Sequence, residues 1–235
     1  MSNSSPLTLF LIPCVLADDT AEKVLSPQIK EVINSLDVLF VENIRTTRRF
    51  ISSLRIGKVI DEITFFELTK DTPPSVTKEQ LKGLTKNAGI LSEAGCPGVA
   101  DPGAMGVKFA HELGMSVVPL VGPSSILLAL MASGMSGQSF AFNGYLPIDK
   151  AQRRKALQQL ERDAHHKNQT QIFMETPFRN NQLMEAILEV CQPDTMLCVA
   201  ANITSSDEFL KTRAIREWKK EKPDLHKKPV MFLIG

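Results

Sequence analysis

The sequence predicts two α/β domains with a ligand cleft between them. Three observations carry this. Short apolar, β-branched runs alternate with amphipathic helical runs along the chain. Five strand-like runs precede residue 121, enough for one parallel sheet covered on both faces. A second alternation then starts at the turn Gly122-Pro123-Ser124-Ser125, with no long linker before it. The expected domains are residues 1–120, an N-terminal α/β domain with a parallel sheet, and 121–235, a C-terminal α/β domain.

The elements follow in order. Leu7 to Ile12 reads as a buried strand. Ala21 to Leu36 has a helical pattern that restarts at Ser26-Pro27, because proline suits a first helical turn. Val38 to Val41 is strand-like, and Thr46 to Leu54 places Phe50, Ile51 and Leu54 on one helical side. Glu62 to Leu68 reads as a strand, and Thr77, with Gln80 three residues on, as the cap of the next helix. A strand at Ile90-Leu91, a helix ending near Gly114 and a strand from Ser116 to Val121 complete the first domain. In the second, an apolar helix follows Ser125, then a strand from Phe140 to Tyr145 and a charged helix from Asp149 to His166. Strands at Gln171–Met174, Met196–Ala200 and Val230–Ile234 follow, with a helix from Asn181 to Val190 between the first two.

Composition narrows the function classes. The chain has 235 residues, 27 of them Lys or Arg and 26 Asp or Glu, so its net charge of +1 gives no global attraction for nucleic acid. The basic run Arg213, Arg216, Lys219, Lys220 and Lys222, with Trp218 among it, reads as a solvated amphipathic face. The four cysteines lack Cys-x-x-Cys spacing, and Cys14, Cys191 and Cys198 lie in or beside apolar runs as small core residues. This implies a reducing, cytoplasmic setting. The apolar run near the N-terminus is too short for a signal peptide or a membrane span. No metal-ligand spacing and no known phosphate-loop motif is present.

The turns after the strands are unusual. Ser92 to Gly103, SEAGCPGVADPG, holds three glycines, two prolines and two carboxylates, where a plain connection needs one or two turn residues. Small and polar residues also end the other strands: Pro13-Cys14, Glu42-Asn43, Gly122 to Ser125, Glu175-Thr176 and Ala201-Asn202. Open α/β sheets bind ligands at these ends.

These motifs resemble those of the tetrapyrrole (corrin/porphyrin) methylases, the class III S-adenosylmethionine-dependent methyltransferases. The branch that 2′-O-methylates small-subunit ribosomal RNA is most similar. SEAGCPGVADPG resembles S-D-A-G-x-P-x-x-x-D-P-G, VVPLVGPSS resembles V-x-P-x-P-G-P-S/C-A, and FNGYLP resembles F-x-G-F-L-P. Val41 to Arg45 resembles A-E-D-T-R, and Glu175 to Arg179 resembles E-S-T-H-R.

The resemblance implies two α/β domains, a homodimer and S-adenosylmethionine in the cleft. It places Ala94, Gly95, Cys96 and Val99 against the cofactor, Ser124 and Ser125 beside it, and Pro13, Met174, Ala201 and Asn202 at its adenosine or methionine parts. A ribose hydroxyl is a weak nucleophile, so a proton acceptor is needed. Glu42, at a strand end, is the candidate; Arg45 holds a phosphate or orients Glu42. Glu93 and Asp101 are second candidates, Asp101 being expected mainly to fix the loop.

Four segments depart from the family pattern: Pro13 to Asp18 in place of P-T-P-I-G-N-L, Asn43 in place of Asp, Glu67 to Lys70 in place of a His-rich run, and Ala200 to Ser205 in place of A-R-E-L-T-K. The cofactor side is kept and the acceptor side altered. The expected function is therefore methyl transfer to RNA, with a ribosomal RNA or subunit as partner. A small-molecule methylase of tetrapyrrole type and a non-catalytic cofactor-binding paralogue are the alternatives.

Overall fold

The computed structural model describes residues 6–235. The chain divides into two compact units, one ending at Ser124 and the other running Ser125–Gly235.

The first unit alternates strands and helices: β1 (Thr8–Ile12), α1 (Ala21–Val24), α2 (Pro27–Ser35), β2 (Val38–Val41), α3 (Ile44–Ser53), β3 (Thr64–Glu67), α4 (Pro74–Lys82), β4 (Ala88–Leu91), α5 (Gly103–Glu112) and β5 (Ser116–Pro119). The sheet order is β3-β2-β4-β1-β5 and every pairing is parallel. Alternating side chains bury both faces, as a period of two dictates. Ile12, Leu39, Val41 and Leu91 pack with Ile29 and Ile33 of α2 and Ile51 of α3. Leu9, Phe40, Ala88 and Ile90 pack with Leu81 of α4 and with Phe109 and Ala110 of α5.

The chain therefore leaves β1 and β2 toward one face and β3 and β4 toward the other. Neighbouring strands β1 and β4 send their loops in opposite directions, which opens a crevice at their C-terminal ends.

The second unit contains α6 (Ser125–Ser133), β6 (Phe140–Tyr145), α7 (Lys150–Lys167), β7 (Thr170–Met174), α8 (Asn180–Val190), β8 (Met196–Ala201), β9 (Phe209–Ala214), α9 (Ile215–Trp218) and β10 (Val230–Ile234). The sheet order is β6-β7-β10-β8-β9, with only β6 and β7 parallel. Its core joins Leu157, Phe173, Leu183, Ile187, Val199, Phe232 and Trp218. Trp218 is buried, and its indole N–H donates to the Leu197 carbonyl at 2.9 Å.

Three expectations are corrected. The strand expected over Glu62–Leu68 forms only from Thr64 to Glu67, after a 3-10 turn at Ile60–Glu62. Thr77 does not cap α4; the helix starts at Pro74, where the missing N–H costs nothing, and Thr77 is buried inside it. The strand expected to reach Val121 stops at Pro119. The basic run is the solvated face expected, with Arg216, Lys219, Lys220 and Lys222 exposed and Trp218 turned inward, and three of its cations have local partners. Arg213 lies 5.3 Å from the Trp218 ring centroid, Arg216 pairs with Asp194, and Lys222 pairs with Glu185 at 2.8 Å. Among the described residues, no helix is long and apolar enough to cross a membrane.

Candidate active site

Three loops meet at the C-terminal end of the first sheet. The loop after β1 and the loop after β4 are joined by two backbone hydrogen bonds. Cys14 N–H donates to the Gly95 carbonyl at 2.9 Å, and Gly95 N–H returns to the Cys14 carbonyl at 3.2 Å. The Ser92 hydroxyl also donates to the Gly95 carbonyl, at 3.0 Å. The Cys96 thiol donates to the Pro123 carbonyl at 3.4 Å and so ties in the loop after β5.

The glycines answer to this geometry. Gly95 and Gly98 have φ of 70° and 81°, which L side chains rarely adopt. A Cβ on Gly103 would lie 2.8 Å from the Gly98 nitrogen. Pro13, Gly95, Cys96 and Ser124 thus belong to one clamped group of loops, while Ala94 and Val99 are exposed on its surface. Ala100, with φ of 63°, is held in a strained conformation at the same loop.

Glu42 follows β2. Next to it, Asn43 caps α3: its side-chain oxygen accepts from the N–H groups of Arg45 at 3.0 Å and Thr46 at 3.3 Å. The Thr46 hydroxyl donates to the Glu93 carboxylate at 2.8 Å, and Glu42 lines a small space with Ser92 and Asp101 of the loop after β4. This places Glu42 against the β4 loop. Glu42, Glu93 and Asp101 therefore form a carboxylate cluster without a salt-bridging cation among the described residues.

Burial raises the Glu42 pKa above the usual range, and the nearby Glu93 raises it further. Burial, with Glu42 and Glu93, lifts Asp101 to about 6. Asp101 accepts no loop N–H among the described residues, which corrects its expected loop-fixing role. It shares a water-sized space of about 10 Å³ with Glu42, Leu68 and Ile90. Arg45 is exposed and makes no ion pair with Glu42. Cys14 is pushed up to about 12, chiefly by burial and then by Asp101 and Glu93, so it remains an unreactive thiol.

A cleft of about 760 Å³ adjoins the cluster, lined by Cys14 and Asp18 after β1, Thr46, Arg49 and Phe50 of α3, and Glu93. This is a size typical of small-molecule sites. The sequence reading missed Thr46. Its position three residues after a cap was the available signal.

A stability test follows from Asp101. Its pKa is raised from 3.8 to about 6, so its contribution is fully present below pH 3.8 and lost as pH rises through about 6. Above that, the charged carboxylate destabilises the fold. Asp101→Asn should raise the melting temperature at pH 7 to 8, and the gain should vanish near pH 3.8. A gain of equal size at both ends would contradict the cluster.

In the second unit, Ser125 begins α6, while Met174 ends β7 and Ala201 ends β8. Met231 of β10 pairs with Met174 and Ala200, and Val230 pairs with Ala201, so Met174 and Ala201 lie at the same end of the sheet. Asn202 follows with φ of 50°; its amide donates to Asp207 at 2.6 Å.

The protein is 31% identical over 77% of its length to ribosomal RNA small subunit methyltransferase I of Bacillus subtilis, and covers 60% of that protein. It is 29% identical to the protein of that name from Buchnera aphidicola (subspecies Schizaphis graminum), over 87% of this chain and 70% of the relative. The Vibrio cholerae protein is 28% identical over 99% of this chain and 77% of the relative. All three relatives are named methyltransferases, in agreement with the methyltransferase family that the motifs resemble.

The solved methyltransferase CobJ shares the fold, with a TM-score of 0.63 and 15% identity, covering 98% of this chain and 94% of that one. No family model matches. The resemblance implies S-adenosylmethionine as the methyl donor. Its positively charged sulfonium fits a cluster of carboxylates that has no cation of its own.

Proposed function

We propose that this methyltransferase methylates a ribose 2′-hydroxyl of small-subunit ribosomal RNA. The observation that carries the reading is the similarity to proteins named for that RNA, which spans 77–99% of the chain in the three relatives described. We assign Pro13, Ala94, Gly95, Cys96, Val99 and Ser124 of the first unit to the cofactor, and Ser125, Met174, Ala201 and Asn202 of the second. The bound sulfonium supplies an activated methyl group with its own leaving group.

The chain must hold the acceptor oxygen in line, exclude water and take one proton. During methyl transfer the Glu42 carboxylate would take the proton that the acceptor hydroxyl loses. The raised pKa of Glu42 suits that task better than an ordinary carboxylate would. Arg45, exposed at the start of α3, is free to meet a phosphate of the acceptor strand. The Asn43 departure does not weaken this reading, because Asn43 caps α3 as an aspartate would.

The test is methyl transfer from labelled S-adenosylmethionine to small ribosomal subunits from a deletion strain, with nucleoside mass spectrometry of the product. Absence of a 2′-O-methylated nucleoside that depends on the protein would overturn the reading. We also place the protein in the cytoplasm and assign it a homodimer. Apolar α6, with Leu127 and Met131 exposed, offers the contact. Light scattering should give twice the chain mass of 26.0 kDa; a value near 26.0 kDa at micromolar concentration would refute the dimer.

A further inference from the structure

One edge of the second sheet collects large apolar side chains that the fold does not use. Tyr145, at the end of β6, is 59% exposed, and Phe178, in the turn after β7, is 67% exposed. Tyr145 pairs with Met174, which ends β7 four residues before Phe178, so both rings stand at the same end of the sheet. The segment entering β10 joins the same row: Lys227 N–H donates to the Pro177 carbonyl at 2.9 Å, and the His226 ring meets the Phe178 ring edge-on at 6.1 Å.

Cations interleave with these rings. Arg179 lies within electrostatic range of the Tyr145 side chain, and Glu175 holds it at 2.7 Å. Lys227 is exposed and Lys228 partly so. The two carboxylates here are already engaged. Glu175 has a fully buried side chain that accepts from Thr176 N–H and Arg179, and Asp224 accepts from Asn181 and from the His226 N–H.

Exposed aromatic faces beside fixed cations match the chemistry of a single nucleic-acid strand, whose bases stack and whose phosphates are anionic. The chain's net charge of +1 leaves such binding to local patches. We propose that this edge is a platform for single-stranded RNA, with Tyr145 and Phe178 stacking on bases and Arg179 and Lys227 holding phosphates. The platform rests on the RNA reading above and adds to it the surface that seats the strand flanking the methylated residue.

Fluorescence anisotropy with a mixed-sequence single-stranded oligoribonucleotide tests it, together with the KM for small ribosomal subunits. Phe178→Ala and Tyr145→Ala should each weaken oligonucleotide binding by roughly 5- to 100-fold. Phe178→Trp should retain binding, and the thermal shift with S-adenosylmethionine should not change. Lys227→Gln should lower the salt slope by about one phosphate contact. Both side chains are exposed, so the variants should melt like the wild type.

Affinity and KM within twofold of wild type in both alanine variants would overturn the platform. So would a raised KM for intact subunits with unchanged oligonucleotide binding, which would assign the surface to a protein. If oligonucleotide binding depends on Phe178 but the wild type methylates no RNA, the acceptor reading fails and the platform stands.

Discussion

Glu42→Gln should lower turnover on small ribosomal subunits by about 100- to 10,000-fold, the usual worth of a general base. Affinity for S-adenosylmethionine should stay within a few-fold. The side chain follows β2 and borders the β4 loop at Ser92 and Asp101. Glutamine keeps the size and shape of the side chain and loses the ability to take a proton. A structural role would require a partner such as Arg45, but Arg45 makes no ion pair with it.

The stability readout therefore separates the two roles. Glu42 is crowded by burial and by Glu93, which disfavour its charge. Removing that charge should leave the melting temperature at pH 7 equal or higher. Turnover of the wild type should rise with pH as Glu42 loses its proton, above the range of an ordinary glutamate, and Glu42→Gln should lose that limb. A Glu42→Gln enzyme with wild-type turnover would remove Glu42 from the chemistry.

What the sequence disclosed followed from local rules. Strands β1, β2 and β4 are legible because their apolar runs are buried on both faces, and the β4 loop because its glycines sit where the backbone needs left-handed φ or close approach. Strand β9 was not legible. FLKTRA carries Lys211 and Arg213 on a sheet edge, where charge blocks further pairing and also hides the strand pattern.

The carboxylate cluster was half legible. Glu42, Glu93 and Asp101 each stood out as strand-end or loop residues, but their meeting depends on β2 lying beside β4. Strand order is a tertiary fact that no local pattern writes. The same holds for the aromatic edge. Tyr145 and Phe178 sit in separate motifs and come to the same end of the sheet only through the pairing of β6 with β7.

Gly122→Ala should destabilise the protein and shrink its thermal shift with S-adenosylmethionine, although no catalytic group changes. A Cβ at residue 122 would lie 2.2 Å from the Pro13 Cβ and 2.6 Å from its Cγ. The proline ring cannot rotate away, so the loops after β1 and β5 must separate. Overpacking of this kind costs about 1–3 kcal/mol, occasionally more, which is several degrees in melting temperature.

The displacement also reaches the site. Pro13 adjoins Cys14, which is bonded to Gly95, and Cys96 is bonded to Pro123. Saturating ligand, at about 100 times its dissociation constant, should stabilise the wild type by roughly 2.7 kcal/mol. The variant should show a smaller gain at the same concentration. Gly137→Ala is the control, since an added Cβ there meets nothing within 4 Å. Pro13→Gly in the Gly122→Ala background removes both contacting carbons and should recover part of the lost stability. If Gly122→Ala melts like Gly137→Ala and binds cofactor like the wild type, the packing of Gly122 on Pro13 does not hold the cofactor loops together.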